Sequence, residues 1–407
     1  MLSALLLLSL ASDGQIITLD SVLRVIDQRH PMLKDYDQRI EAQQAYAAGA
    51  KSWMAPMVGV GTFMTPYPGQ SAEEADRGSF MLSIEQNIPN PAKLSANERH
   101  YASRAAVEEQ GRAVRFNALR AEAKTAYYKW LVAEKKQEVL RESENIVGLM
   151  IKLANARYPY NQTSLGSIYK AEGRLHEIQN MILMTSGEIE EAAYVLRSVM
   201  NLPAETPLMV DTAMTVRFDM GALGSDTALL RTHRSDIRQL DKSIEMMRLS
   251  RELQQFQSRP DFRFRFDHMQ PLGSGMPTQF TAMAMISIPI APWSSKMYKS
   301  ETKGMTHDIE AMKREQDALV LETRGMLTGM TAQLARMEQQ LNNYRTKIIP
   351  ALRKNYEAVM VSYEENRASL PAVLDSWEAL NMSQLEYTEK QQEYLAMIVK
   401  YEKEVER

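Results

Sequence analysis

The sequence has no cysteine among its 407 residues. Disulfide bridges, thiolate nucleophiles, iron–sulfur clusters and cysteine-ligated zinc are thereby excluded, as is an N-terminal lipid carried on cysteine. Nor is either charge in excess: 48 lysines and arginines face 51 aspartates and glutamates, a formal net charge of −3. Such a surface offers no broad basic field for a polyanion, so nucleic acid is not an expected partner. Beyond residue 15 no run approaches the roughly 20 apolar residues of a membrane-spanning helix, and any bilayer crossing has to be made with strands. Enzyme motifs are missing as well. The histidines at 30, 100, 176, 233, 268 and 307 form no HExxH and no pair at ligand spacing on one helix. There is no Walker loop, GxGxxG or GxSxG, and Gly59-x-Gly61 lies in a strand pattern that opens no helix to cradle a phosphate. The sequence therefore predicts no catalytic residue, no cofactor and no resident metal.

What the chain does have is a duplication. Residues 19–201 and 222–405 each read as a shorter helix, two alternating strands, a very long helix and a medium helix. His30 with Pro56 answers to His233 with Pro260, Ile88-Pro89 to Ile288-Pro289, and Ser164-Leu165 to Ser369-Leu370. The expected organisation is a secretory leader or its remnant over 1–14, a first repeat over 15–205, a linker over 206–221 and a second repeat over 222–407. The leader reading rests on an apolar run closed by Ser9-Leu10-Ala11, a small-x-small pattern that resembles a cleavage site. Tandem copies of one supersecondary unit bury little alone and stack on each other or on sister chains.

Helical periodicity dominates. Leu327, Met330, Leu334, Met337, Leu341, Tyr344, Ile348 and Ala351 fall at alternating steps of three and four, a heptad seam that calls for a supercoiled partner. Leu119, Ala123, Ala126, Trp130, Ala133, Leu140, Val147, Ile151 and Ala154 keep the same beat, interrupted by Gln137 and Glu144. The long helices, expected near 94–157 and 295–365, would measure about 95 to 105 Å at ~1.5 Å per residue. The shorter helices, near 19–52 and 164–200, sum to a similar length and could pair end to end with the long one. Pro350 should bend or break the second long helix.

The strands alternate. In Pro260-Asp261-Phe262-Arg263-Phe264-Arg265-Phe266-Asp267 the aromatics Phe262, Phe264 and Phe266 face one way, and Arg263, Arg265 and the acids face the other. Phe80 to Ile88 repeats this, with Ser83, Glu85 and Asn87 on its polar side, while Met57–Met64 and Phe280–Ile288 are less regular. Expected strand lengths of about 9 to 11 residues suit a tilted bilayer crossing, with Phe262, Phe264 and Phe266 toward lipid and Arg263, Arg265 and Glu85 toward a wet lumen. Four strands cannot close a barrel, and open edges are forbidden in lipid. Two chains would give about 8 strands and a filled interior, whereas three would give about 12 and room for a channel, so a homotrimer is expected. The expected fold class is mainly α with a small β part: a duplicated helix-strand-strand-helix-helix unit, a long coiled-coil helical tunnel, and four strands per chain in a trimeric transmembrane barrel.

The 28 methionines raise the question of copper, since thioethers bind Cu(I). Met326, Met330 and Met337 lie on a helix seam and Met283 with Met285 on one strand face, so flexible apolar filling is the expected role. His268 with Met269 and Met276 is the one cluster to test for metal.

Four stretches, HPMLKDYDQRIEAQQAYAAGAKSWMAP, AYYKWLVAEKK, LRSVMNLPAETPL and YEENRASLPAVLDSWEAL, occur in the order found in the TolC family of outer membrane efflux proteins. The chain resembles that family over nearly its whole length. IEQNIPNPAKLSANERHYA is similar to the strand-exit segment of the subgroup serving heavy-metal pumps, with Ala92 where that subgroup usually has glycine. The resemblance implies a passive trimeric duct in the bacterial outer membrane that extends through the periplasm. Its partners would be outer membrane lipid, a periplasmic adaptor and, indirectly, an inner-membrane pump, with heavy metal or copper as a candidate cargo. It also implies a gate where long helix turns into medium helix. Here that gate would comprise Asp375, Tyr363, Arg367, Glu364 and Glu365, with Ala372 at a second commonly acidic position. The adaptor-docking tips would be Asn161, Gln162, Thr163, Ser164 and Leu165 together with Asn366, Ala368, Ser369 and Leu370. Asn161 and Asn366 stand where the family usually has glycine, and asparagine is the next-best residue for a left-handed bend. A soluble periplasmic coiled-coil adaptor or scaffold, with a small soluble sheet, remains the alternative.

Overall fold

A computed structural model describes residues 15–211, 218, 227–289 and 291–407. The leader expected over 1–14, and residues 212–217 and 219–221 of the expected linker, lie outside the described residues. After β1 (Gln15–Ile17) the first half runs α1 (Leu19–Arg29), α2 (Pro31–Gly49), β2 (Met57–Phe63), β3 (Ser79–Ile88), α3 (Pro91–Arg157) and α4 (Leu165–Val199). After β4 (Leu208–Val210) the second half repeats the order with α5 (Thr227–His233), α6 (Ser235–Gln255), β5 (Phe262–Pro271), β6 (Gln279–Ile286), α7 (Pro292–Asn343), α8 (Ile349–Glu364) and α9 (Leu370–Val405). The chain is mainly helical with a small β part.

Three local expectations are corrected. The first helix of each half is divided, because Pro31 pushes His30 into an extended conformation (φ −65°, ψ 124°), and α5 likewise ends at His233. The expected linker contains β4, which pairs in parallel with β1, and three residues are too few to show a period. The outer strands are shorter than expected, 7 residues in β2 and 8 in β6, against 10 each in β3 and β5.

Two compact units draw on both halves, one from 1–34, 113–235 and 320–407, the other from 35–112 and 236–319. The first has two apolar clusters. One gathers Val22, Ile26, Leu119, Ala123, Trp130, Leu196, Leu327, Leu334, Leu395 and Ile398 with Ile17 and Val210 of the small sheet. The other gathers Leu140, Val147, Met150, Ile168, Tyr363, Leu370, Val373 and Trp377. Where Gln137 interrupts the seam of α3 its amide donates to Ser186 at 2.8 Å, and nearby Ser143 donates to Asn381 at 2.7 Å. These buried polar groups are thus partnered, as burial requires.

Tyr344–Ile348 forms a π-helical turn directly before Pro350. Proline brings no N–H and its ring crowds the carbonyl four residues back, and the wider turn absorbs both defects. The extra residue also rotates the helix. The inward line passes from half-buried Leu341 and buried Tyr344 through half-buried Leu352, Tyr356 and Val359 to buried Tyr363, so Ile348 and Ala351 are exposed rather than on the seam as expected. Met326, at 37% exposure, also lies off the seam.

The second unit holds the antiparallel four-stranded sheet in the order β2-β3-β5-β6. Its helices are tied to one another by Arg112–Asp37 (2.7 Å) and Arg99–Glu252 (2.7 Å), and α3 to the approach of β5 by Lys93–Asp261 (3.3 Å). The two hairpin loops meet where Gly273 approaches Glu74 so closely that a Cβ would lie 1.7 Å from the Glu74 carbonyl oxygen.

Candidate functional site

The strand register assembles two chemically opposite walls. Phe262 pairs with Ile88 and Ile286, Phe264 with Gln86 and Ala284, and Phe266 with Ile84 and Ala282. Ile84 and Leu82 pair in turn with Val58 and Val60, which places all of these on one face. That face is bare: Val58 is 66% exposed, Val60 72%, Phe262 47%, Phe264 46% and Phe280 69%. Phe266 stacks on Phe280 with centroids 5.8 Å apart.

The opposite face carries Ser83, Glu85 and Asn87 against Asp267, Arg265 and Arg263. Arg263 Nη1 lies 3.0 Å from Glu85 Oε1 and its Nε donates to Asn87 Oδ1 at 2.9 Å. Arg265 Nε donates to both oxygens of Asp267, at 2.9 and 3.1 Å. Met81, Met269, Met283 and Met285 share this wall. His268 pairs with Leu82 and Phe280 on the other one, so the expected cluster of His268 and Met269 is divided between faces. Among the described residues no group of three or more His, Asp or Glu side chains could hold a metal, and no helix is long and apolar enough to cross a membrane.

The helical tip lies in the first unit. Asn161 (φ 57°) and Asn366 (φ 61°) both adopt the left-handed conformation. Ser164 caps α4, its hydroxyl accepting from the Ser167 N–H at 3.2 Å. Ser369 occupies the same position before α9 without a side-chain cap bond, and Pro371 begins that helix. Asn161, Gln162, Ser164 and Leu165 are exposed, as are Asn366, Arg367 and Ser369, while Thr163 and Ala368 are half-buried. Leu370 departs from this set: at 1% exposure it belongs to the apolar cluster and shapes the tip from inside.

Of the expected gate residues, Asp375 pairs with Lys170 at 3.0 Å, both well exposed. Arg367 pairs with Glu365 on its own turn at 3.3 Å. Tyr363 is buried, and the guanidinium of Arg157 lies 4.3 Å from its ring centroid. Arg157 also donates to the carbonyls of Tyr363 (2.7 Å) and Glu364 (3.1 Å). Arg174 bridges Glu177 and Glu378, each at 2.6 Å; chiefly the Glu177 hydrogen bond raises its pKa, with Glu378 reinforcing it against burial. Burial raises the Tyr356 pKa, with Glu364, Glu142 and Glu357 adding to it. Arg157, Lys170, Arg174 and Glu378 were not foreseen. The one available signal was Arg157 as the closing cation of a helix, where a basic side chain reaches the last carbonyls.

No protein-family model matches the chain, and no curated protein matches it significantly. Solved structures do match in fold. VceC, an outer membrane protein of Vibrio cholerae, aligns over 95% of this chain and 95% of its own with a TM-score of 0.75 at 15% identity. The outer-membrane channel OprN aligns over 95% of this chain and 89% of its own, with a TM-score of 0.77 at 13% identity. CusC, known for transmembrane channel formation, aligns over 95% and 91%, with a TM-score of 0.76 at 11% identity. The chain therefore has the fold of TolC-type outer-membrane channel proteins.

Proposed function

We propose that this protein is the outer membrane channel of a tripartite efflux system. In this reading three copies join their sheets edge to edge into a barrel of about twelve strands, with the phenylalanine wall in lipid and the arginine wall around water. In the periplasm an adaptor engages the helical tips and links the duct to an inner-membrane pump. Solutes pass through without chemical change.

The observation that carries this reading is a sheet with its apolar wall and both edges left bare. β2 and β6 are the outermost strands, and neither has an outer partner among the described residues. A soluble scaffold would present this apolar face and two unprotected edges to water, an aggregation hazard. The fold shared with outer-membrane channels supports the same conclusion.

The finer reading, heavy metal or copper as cargo, is supported by the exit segment beginning at Ile84. Copper tolerance of a strain lacking the protein tests it separately. The channel itself is tested by cell fractionation and planar-bilayer recording of the purified chain. Outer-membrane recovery with discrete conductance steps is expected; a wholly soluble, non-conducting protein would overturn the proposal.

A further inference from the structure

We propose that the polar wall of the sheet recognises organic anions that carry an apolar body, and that Arg263 and Arg265 determine this preference. The inference rests on the channel reading, in which that wall lines the passage.

In both ion pairs the carboxylate lies beneath the guanidinium. The Arg263 side chain is 48% exposed and its partner Glu85 16%, while Arg265 is 33% exposed and Asp267 6%. The charges cancel in number, yet a solute in the passage meets the cations first. Arg263 engages its protein partners through Nε and Nη1, and Arg265 through Nε. Arg263 Nη2 and both terminal nitrogens of Arg265 take no part in these contacts. A planar fork of donors matches carboxylate, sulfonate and phosphate oxygens.

The second observation is the register. Arg263 faces Met285 and Arg265 faces Met283 across the β5–β6 ladder. These methionines are 38% and 39% exposed. Directly opposed side chains stand about 4.5–5.5 Å apart at Cβ, so each cation has an adaptable thioether beside it. Cation and apolar contact together fit an anionic head on an apolar body.

The test is current block in planar bilayers by naphthalene-2-sulfonate, with benzyltrimethylammonium as the cationic counterpart. The sulfonate should block at concentrations where the ammonium does not. Arg263→Gln should raise its half-blocking concentration on the order of tenfold, the scale of one lost charge-assisted hydrogen bond. Arg263→Lys, which keeps the charge without the fork, should fall between. Removing either arginine alone would strand a covered carboxylate, so Arg263→Gln is also read together with Glu85→Gln and Arg265→Gln is combined with Asp267→Asn, and unitary conductance reports that each variant has assembled. Equal block by the ammonium, or half-blocking concentrations unchanged in these variants, would overturn the proposal. A wild-type protein with no conductance overturns the channel reading, and this inference with it.

Discussion

Arg157 closes α3 by lying over the ring of Tyr363, its Cζ 4.3 Å from the ring centroid, while donating to two carbonyls at the end of α8. One side chain thus satisfies helix-end acceptors and covers an aromatic face at the tip. Arg157→Ala should cost about 1–3 kcal/mol of local stability. Hydrogen exchange at residues 361–367 should accelerate, with amides around Leu196 unchanged. Tyr363→Phe should behave oppositely, because the Tyr363 hydroxyl is buried without a hydrogen-bond partner among the described residues and its removal relieves a desolvated group. Equal acceleration in both variants would show that the Tyr363 hydroxyl contributes to holding the tip, against this assignment.

The π-turn before Pro350 sets the phase of everything after it. Deleting Thr346 should convert the turn to ordinary α-helix while leaving Tyr356 and Tyr363 on the inward line, so the melting temperature should change little. Inserting an alanine after Arg353 should instead rotate those tyrosines outward by about 100° and unfold the tip cluster. A deletion as damaging as the insertion, seen by circular dichroism, would contradict this assignment.

Burial lowers the pKa of His100 below its ordinary 6.5, Arg104 lowers it further, and a backbone hydrogen bond with Met246 opposes them. His30 is lowered in the same way by burial and Arg115, against Glu122. The folded state therefore favours the neutral rings. Their contribution is complete above the unfolded value and is lost as pH falls through it toward the folded values. The melting temperature should decline from pH 7 to pH 5, and less steeply in a variant carrying His30→Gln and His100→Gln. An identical slope in that variant would assign the decline to other groups.

Phe264 is the third of the ten residues of β5, with its ring on the bare apolar wall. Phe264→Arg should cost on the order of 1–4 kcal/mol if that wall meets hydrocarbon, more the nearer the residue lies to the bilayer midplane. Recovery of folded protein in liposomes should fall sharply, whereas Phe264→Leu should be tolerated. Wild-type recovery of Phe264→Arg would remove the lipid-facing assignment.

Periodic elements were legible in the sequence, and partnerships between elements were not. The alternation around Phe262–Phe266 fixed which side chains share a wall, since a strand's period of two needs no knowledge of its neighbours. Asn161 and Asn366 marked the turns because few residues tolerate positive φ. The seam beyond Tyr344 was misplaced because a proline announces a disturbance without saying which kind. Lys170–Asp375 and Arg174–Glu378 join helices about 205 residues apart in sequence, and no local spacing encodes such a pair. Leu165 and Leu370 sit at matching places in the two repeats, yet only Leu370 is buried, because burial depends on the helix that happens to pack there.

The central claim is that this chain cannot finish its own sheet and does so with two other copies. The mass of the purified protein in detergent, measured by light scattering with the detergent contribution subtracted, tests it most directly. The account predicts three times the 46.3 kDa of one chain. A folded, stable species at the mass of a single chain would contradict it.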